Sequence, residues 1–164
     1  MKMKFVKIFF PAFLMLAMVT ACGAGNSKTG DKSDQAQSSA KTYTISLDTD
    51  GFLKKVADFK NNPQEWKYLG DKPAIIDFWA EWCSYCRKLS PVLEELAKEY
   101  EGQIYIYKVN TDQEREIATA FGIRALPTLL FIPQGEDPQV AQGALPKEEL
   151  RKIIETVLLN KPQE

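Results

Sequence analysis

Pro73-Ala74-Ile75-Ile76-Asp77-Phe78-Trp79-Ala80-Glu81-Trp82-Cys83-Ser84-Tyr85-Cys86 joins an apolar run of strand length to two cysteines three residues apart. A nearly continuous apolar run such as 73–79 is the pattern of a strand buried on both faces. From Cys83 to Tyr100, Leu89, Val92, Leu93, Leu96, Ala97 and Tyr100 recur at helical spacing, so the cysteines stand where a buried strand hands over to a long helix. Pro91, inside that helix, predicts a kink, because its ring removes a donor and crowds the preceding turn. Working outward, Tyr43 to Leu47 reads as a short strand and Asp50 to Lys60 as a helix with Phe52, Leu53, Val56 and Phe59 on one face. Asn61 to Lys72 reads as loop, Ile104 to Val109 as a second buried strand, and Gln113 to Phe121 as a short helix stopped by Gly122. Thr128 to Ile132 is a third core strand, Gln139 to Gln142 an edge strand, and Lys147 to Leu159 a closing amphipathic helix. A β-α-β-α-β order followed by β-β-α predicts an α/β protein with a mixed central sheet flanked by helices on both faces.

Two cysteines in the first turn of a helix have a physical use. Free amides and the positive end of the helix dipole stabilise a thiolate on the first, while the second, one turn further in, is shielded and suited to resolve a mixed disulfide. Other readings of the pair are weaker. Zinc needs four ligands, and the chain has no histidine and only one further cysteine, Cys22. A purely structural disulfide would gain little from so short a loop. Inert buried thiols fit poorly with the polar flanks Ser84, Arg87 and Lys88. Redox chemistry is the reading that uses the placement.

Composition bounds the rest. At 164 residues there is room for one compact domain and some additional sequence. With 21 Lys and Arg against 22 Asp and Glu, the basic field that dominates nucleic-acid affinity is missing, so no nucleic-acid partner is expected. The absence of histidine removes the commonest general base and metal ligand, and neither metal nor cofactor is expected.

The first 21 residues read as an address. Lys2, Lys4 and Lys7 precede a run, Ile8 to Ala21, that is apolar apart from Pro11 and Thr20, which is the layout of a signal peptide. A membrane-spanning anchor is the rival reading, but about 20 apolar residues are needed to cross and Pro11 interrupts a run already short. Val19-Thr20-Ala21-Cys22 resembles the bacterial lipobox, in which cleavage before the cysteine leaves its thiol to carry lipid; the alternative is an ordinary signal with Cys22 as a free or intermolecular thiol. Lipidation would account for the odd cysteine and hold the protein on a membrane without a crossing helix. Residues 22–42 contain Gly, Ser, Thr, Asn, Gln, Asp or Lys at 17 of 21 positions, too polar to fold, and read as a tether with a root-mean-square reach of about 25 Å. Loss of residues 1–21 removes three lysines, leaving 18 basic and 22 acidic side chains. The domain itself is expected over 43–162.

Ile76-Asp77-Phe78-Trp79-Ala80-Glu81-Trp82-Cys83 resembles the signature of the thioredoxin family. The resemblance continues through Pro91, Lys108-Val109-Asn110-Thr111-Asp112, Phe121-Gly122-Ile123-Arg124-Ala125-Leu126-Pro127-Thr128 and Gly143-Ala144-Leu145, in family order, from about Tyr43 to Leu159. It implies a thioredoxin fold, Cys83 as attacking thiolate, Cys86 as resolving cysteine, Asp77 as the buried aspartate beneath the disulfide and Lys108 as its partner. It also implies a cis bond before Pro127, and Trp82 as the aromatic flank of a substrate surface shared with Ser84, Tyr85 and the Leu126 backbone. Burial alone predicts a raised pKa for Asp77 and proton exchange with Cys86, directly or through water; a hydrogen-bonded core aspartate without a catalytic part is the plainer alternative. Pro127 can equally be a strand opener. Trp66 and Tyr68 are expected in a satellite core rather than an accessory surface.

The residues between the cysteines, Ser84-Tyr85, depart from the family's usual Gly-Pro. Without that proline, and with a tyrosine before the second cysteine as in glutaredoxins, the expected potential is less reducing than about −270 mV and lies towards about −200 to −230 mV. Lacking a histidine between the cysteines, the thiolate should be less stabilised than in the strong oxidants of the family. The expected activity is reduction or exchange of disulfides in extracytoplasmic proteins by a monomer. It would be anchored at the periplasmic face of the cell envelope through lipidated Cys22, and a transmembrane thiol-carrier would be the electron donor. An oxidase or isomerase, and a tethered holdase or assembly factor without turnover, are the alternatives.

Overall fold

The computed structural model describes residues 41–162. The expected signal segment 1–21, Cys22 and most of the 22–42 tether lie outside the described residues. In chain order the elements are β1 (Ile45–Ser46), α1 (Thr49–Lys55), β2 (Ala74–Trp79), α2 (Ser84–Glu99), β3 (Tyr105–Asn110), α3 (Arg115–Ala120), β4 (Thr128–Ile132), β5 (Gln139–Gln142) and α4 (Lys147–Ile153), which runs on into a π-helical turn, Ile154–Leu158. The strands form one mixed sheet in the order β1-β3-β2-β4-β5, parallel across β1-β3-β2 and antiparallel across β2-β4-β5. Among the described residues no helix is long and apolar enough to cross a membrane.

The period-two alternation of the strands sorts the interior into two cores. Ile75, Ile106, Leu129 and Phe131 point to one face, where α2 and α4 cover them with Leu89, Leu93, Leu96, Leu150 and Ile154. Ile76, Phe78, Tyr107, Val109, Leu130 and Ile132 point to the other, against Phe52 and Val56 of the α1 region and Ile117 of α3. By the same alternation Asp77 and Lys108 belong to the α2 face, between residues that line its core. Trp66 and Tyr68 pack against the second core as expected, Trp66 edge-to-face with Phe121 at 6.2 Å between centroids.

β4 and β5 keep their expected bounds, and the helix ends account for most of the differences. The helix expected over Asp50 to Lys60 stops at Lys55. Beyond it the Asp58 carboxylate accepts the Asn61 amide at 3.2 Å, and the Val56 carbonyl is taken by Leu69 N at 2.9 Å, so the backbone turns while Val56 and Phe59 stay on the apolar side. The helix expected over Gln113 to Phe121 begins later, at Arg115, and its end is followed by Gly122 at φ 61°. The last helix widens at Ile154, with Leu159 N donating five residues back to Ile154, which keeps Leu150, Ile154 and Leu158 buried. α2 runs through Pro91, which lies on its exposed side. At the chain's entry, Glu94 on α2 accepts hydrogen bonds from Tyr43 N, from Thr44 N at 3.1 Å and from Thr44 Oγ1 at 2.7 Å, fastening the approach to β1 onto the helix that follows the cysteines.

Candidate active site

Where β2 ends, Cys83 N donates to Ala80 O at 3.2 Å and Cys83 becomes the N-cap of α2, its sulfur accepting Cys86 N at 3.1 Å. A side chain at this position satisfies an amide that the helix leaves unpaired. Cys83 and Cys86 are joined by a disulfide, with Cα atoms 5.3 Å apart. The expectation that polar flanks keep the cysteines open needs correction: Cys83 is 5% and Cys86 2% exposed. Their neighbours carry the exposure instead. Trp82 is 69% and Tyr85 61% exposed, and Ser84, Arg87 and Lys88 are also on the surface. A shielded disulfide framed by two exposed aromatic rings is a small apolar platform around a reactive bond.

The sheet face that α2 covers carries a charged group with few partners. Asp77 is fully buried, and among the described residues none donates a hydrogen bond to either carboxylate oxygen. In register it faces Lys108 on β3 and Leu129 on β4. Burial pushes its pKa up to about 6, against the opposing pull of Lys108. Lys108 Nζ stands 3.9 Å from Asp77 Oδ2, donates to Ser90 Oγ at 2.5 Å and lies 4.8 Å from the Trp79 ring centroid. The Lys108 end opens into a cavity of about 350 Å³ that Trp79, Asp48 and Glu114 also line.

The Leu126–Pro127 bond is cis. Since Thr128 pairs with Phe78, Pro127 lies level with the end of β2, beside the departure of the cysteine segment. Pro127 O accepts Gly143 N at 2.8 Å, while Leu126, half-buried, makes no backbone–backbone hydrogen bond among the described residues, leaving its amide and carbonyl unused at the rim. Thus the structure brings Cys83 together with Cys86 and Asp77 near Lys108, with Trp82, Ser84 and Tyr85 exposed in the segment that holds the sulfurs. Two residues went unforeseen. Asp112 accepts Trp82 Nε1 at 3.0 Å, a contact spanning 30 residues that no local periodicity signals. Ser90, partner of Lys108, stands four residues after Cys86, where a polar side chain beside the buried stripe of α2 was the available sign.

The thioredoxin family model matches residues 53–156. A thioredoxin of Borreliella burgdorferi is 49% identical over 110 residues, covering 67% of this chain and 93% of that relative. The chloroplastic M-type thioredoxin of Spinacia oleracea is 44% identical over 109 residues, 65% of this chain and 59% of that relative. A crystal structure of chloroplastic thioredoxin z is similar with a TM-score of 0.57 at 25% identity, covering 68% of this chain and 90% of that one.

Proposed function

This chain belongs to the thioredoxin family, and from that premise we propose that it is a protein-disulfide reductase working outside the cytoplasm through Cys83 and Cys86. The observation that carries the chemistry is the disulfide at the head of α2, framed by Trp82 and Tyr85, with a buried carboxyl to which no described residue donates a hydrogen bond on the sheet face that α2 covers.

In the reduced protein the Cys83 thiolate, stabilised by the first-turn amides and the helix dipole, attacks one sulfur of a substrate disulfide. The Cys83–substrate bond forms, the substrate disulfide breaks, and the departing sulfur takes a proton. Asp77, mostly ionised above pH 6, accepts the Cys86 proton directly or through water, and the Cys86 thiolate attacks Cys83. The Cys83–Cys86 disulfide closes, the second substrate sulfur departs as a thiolate and takes a proton from solvent or the one held by Asp77, and the substrate leaves as a dithiol. Leu126, with its unused backbone groups, would pair with an extended substrate segment, and the aromatic platform would hold its side chains. Two electrons and two protons must then return from outside; for an extracytoplasmic protein that donor is a transmembrane thiol-carrier. Lys2, Lys4, Lys7, the apolar run 8–21 and Cys22 at its end support export and attachment by lipid at the periplasmic face.

The test is reduction of insulin disulfides by the chain with a supplied reductant. Cys83→Ser should abolish turnover, and Cys86→Ser should accumulate mixed disulfides with its substrates. Full cellular function in Cys83→Ser would replace catalysis with a holdase role, whereas net disulfide formation in substrates would reverse the direction. Cys22→Ala should move the protein from the membrane to the soluble fraction; an unchanged distribution would remove the lipid anchor from the proposal.

A further inference from the structure

Lys108 is placed by a competition. Its ammonium donates to Ser90 Oγ at 2.5 Å and stops 3.9 Å short of Asp77 Oδ2, although Lys108 and Asp77 are direct cross-strand partners. The other acids around it are engaged elsewhere. Glu94, on α2 with Ser90, accepts Tyr43 N and both donors of Thr44, and although burial pushes its pKa up, those hydrogen bonds and the Lys108 charge bring it below its ordinary value. Glu114, from the segment leading into α3, accepts Thr49 N at 2.9 Å and Thr49 Oγ1 at 2.6 Å. Asp48, ahead of α1, accepts Gly51 N at 2.8 Å. On the remaining side of Asp77, β4 offers only the apolar Leu129. The Trp79 ring lies 4.8 Å from the ammonium, and Ser90 is the side chain among the described residues that accepts a hydrogen bond from it.

We propose that Ser90 is a positioning residue for the proton-transfer step: its hydroxyl draws Lys108 towards α2 and denies Asp77 a close ion pair, keeping the carboxyl ready to take and release a proton. The proposal rests on the reductase reading above for its use, and on the two distances alone for its geometry. Without the hydroxyl, Lys108 closes on Asp77. Shortening 3.9 Å to a contact pair of about 2.8 Å, at an effective dielectric of about 20, favours the ionised carboxyl roughly tenfold.

The experiment follows the Asp77 carboxyl carbon by NMR against pH in the full chain with its disulfide intact, assigned with Asp77→Asn. In Ser90→Ala the midpoint should fall by about one pH unit, whereas Ser90→Thr, which keeps the hydroxyl, should leave it near the wild-type value. The pH–rate profile of insulin reduction should move down with the titration. An unmoved or raised midpoint in Ser90→Ala overturns the proposal whatever the activity, and so does a Thr variant that behaves like Ala. A lowered midpoint with an unmoved rate profile upholds the placement of Lys108 by Ser90 and instead removes Asp77 from the exchange chemistry.

Discussion

Replacing Asp77 by Asn should make the oxidised protein more stable at neutral pH. The carboxyl titrates at about 6 rather than 3.8 because folding buries it and offers no hydrogen bond in return. Between those two values the folded chain holds a proton that the unfolded chain has released, so stability falls as pH rises through this window and the loss is complete above pH 6. At about 1.4 kcal/mol per pH unit the cost at pH 7 is about 3 kcal/mol. Below pH 3.8 the carboxyl is neutral in both states and the cost vanishes. Asn has nearly the same shape and never ionises, so the substitution removes the cost at pH 7 and gains nothing at pH 3.5. Urea unfolding monitored by tryptophan fluorescence, with the Cys83–Cys86 disulfide intact, reads this directly. For a urea slope of about 1.5 kcal/mol/M, the midpoint should rise by about 2 M at pH 7 and coincide with wild type at pH 3.5. A variant no more stable than wild type at pH 7, or one whose advantage persists at pH 3.5, would refute the argument that ionisation in a dry site is the cost. The same variant should reduce protein disulfides at least tenfold more slowly at neutral pH, having lost the group that takes the Cys86 proton.

Trp82→Ala should lower kcat/KM for protein disulfides about tenfold while sparing a small disulfide, because it removes part of the platform and leaves the sulfurs in place. Asp112→Ala should act in the same direction more weakly, by releasing the Trp82 indole. Gly143 sits at φ 93° with its amide on the Pro127 carbonyl, so Gly143→Ala should cost about 1–2 kcal/mol in urea unfolding; an unchanged midpoint would show that this φ is not needed. Equilibration with glutathione should place the Cys83–Cys86 couple above about −270 mV, and a value at or below that figure would remove the Ser84-Tyr85 pair as a determinant of potential.

The parts legible from sequence are those governed by a repeating local rule. The apolar run 73–79 reads as an inner strand, and the structure places that strand at 74–79 in the middle of the sheet, whereas the place of Asp77 beneath the disulfide was implied by the family resemblance and not by the pattern of the run. The helical stripe from Leu89 to Ala97 gave α2 its buried face. Helix ends were harder to read because single side chains decide them: Asp58 captures Asn61 and turns the chain after Lys55, though Phe59 keeps the helical spacing going. Long-range pairings were harder still. Nothing near Trp82 points to Asp112, and nothing near Thr44 points to Glu94; these contacts exist only once the sheet has brought distant turns to one rim. Ser90 shows a third kind of difficulty. Its polarity was visible, but the partner it competes for stands on a different strand, so its part emerges from two distances measured from one ammonium.

The parallel register of β1, β3 and β2 also fixes which end of the sheet carries the disulfide. Ile45 is level with Tyr107 and Ser46 with Lys108, which in turn is opposite Asp77. Counting back, Tyr43 enters the domain level with the start of β2, and the sulfurs leave from its far end, five residues or about 16 Å further along. Within the domain the disulfide therefore stands at the end of the sheet opposite the one where Tyr43 enters.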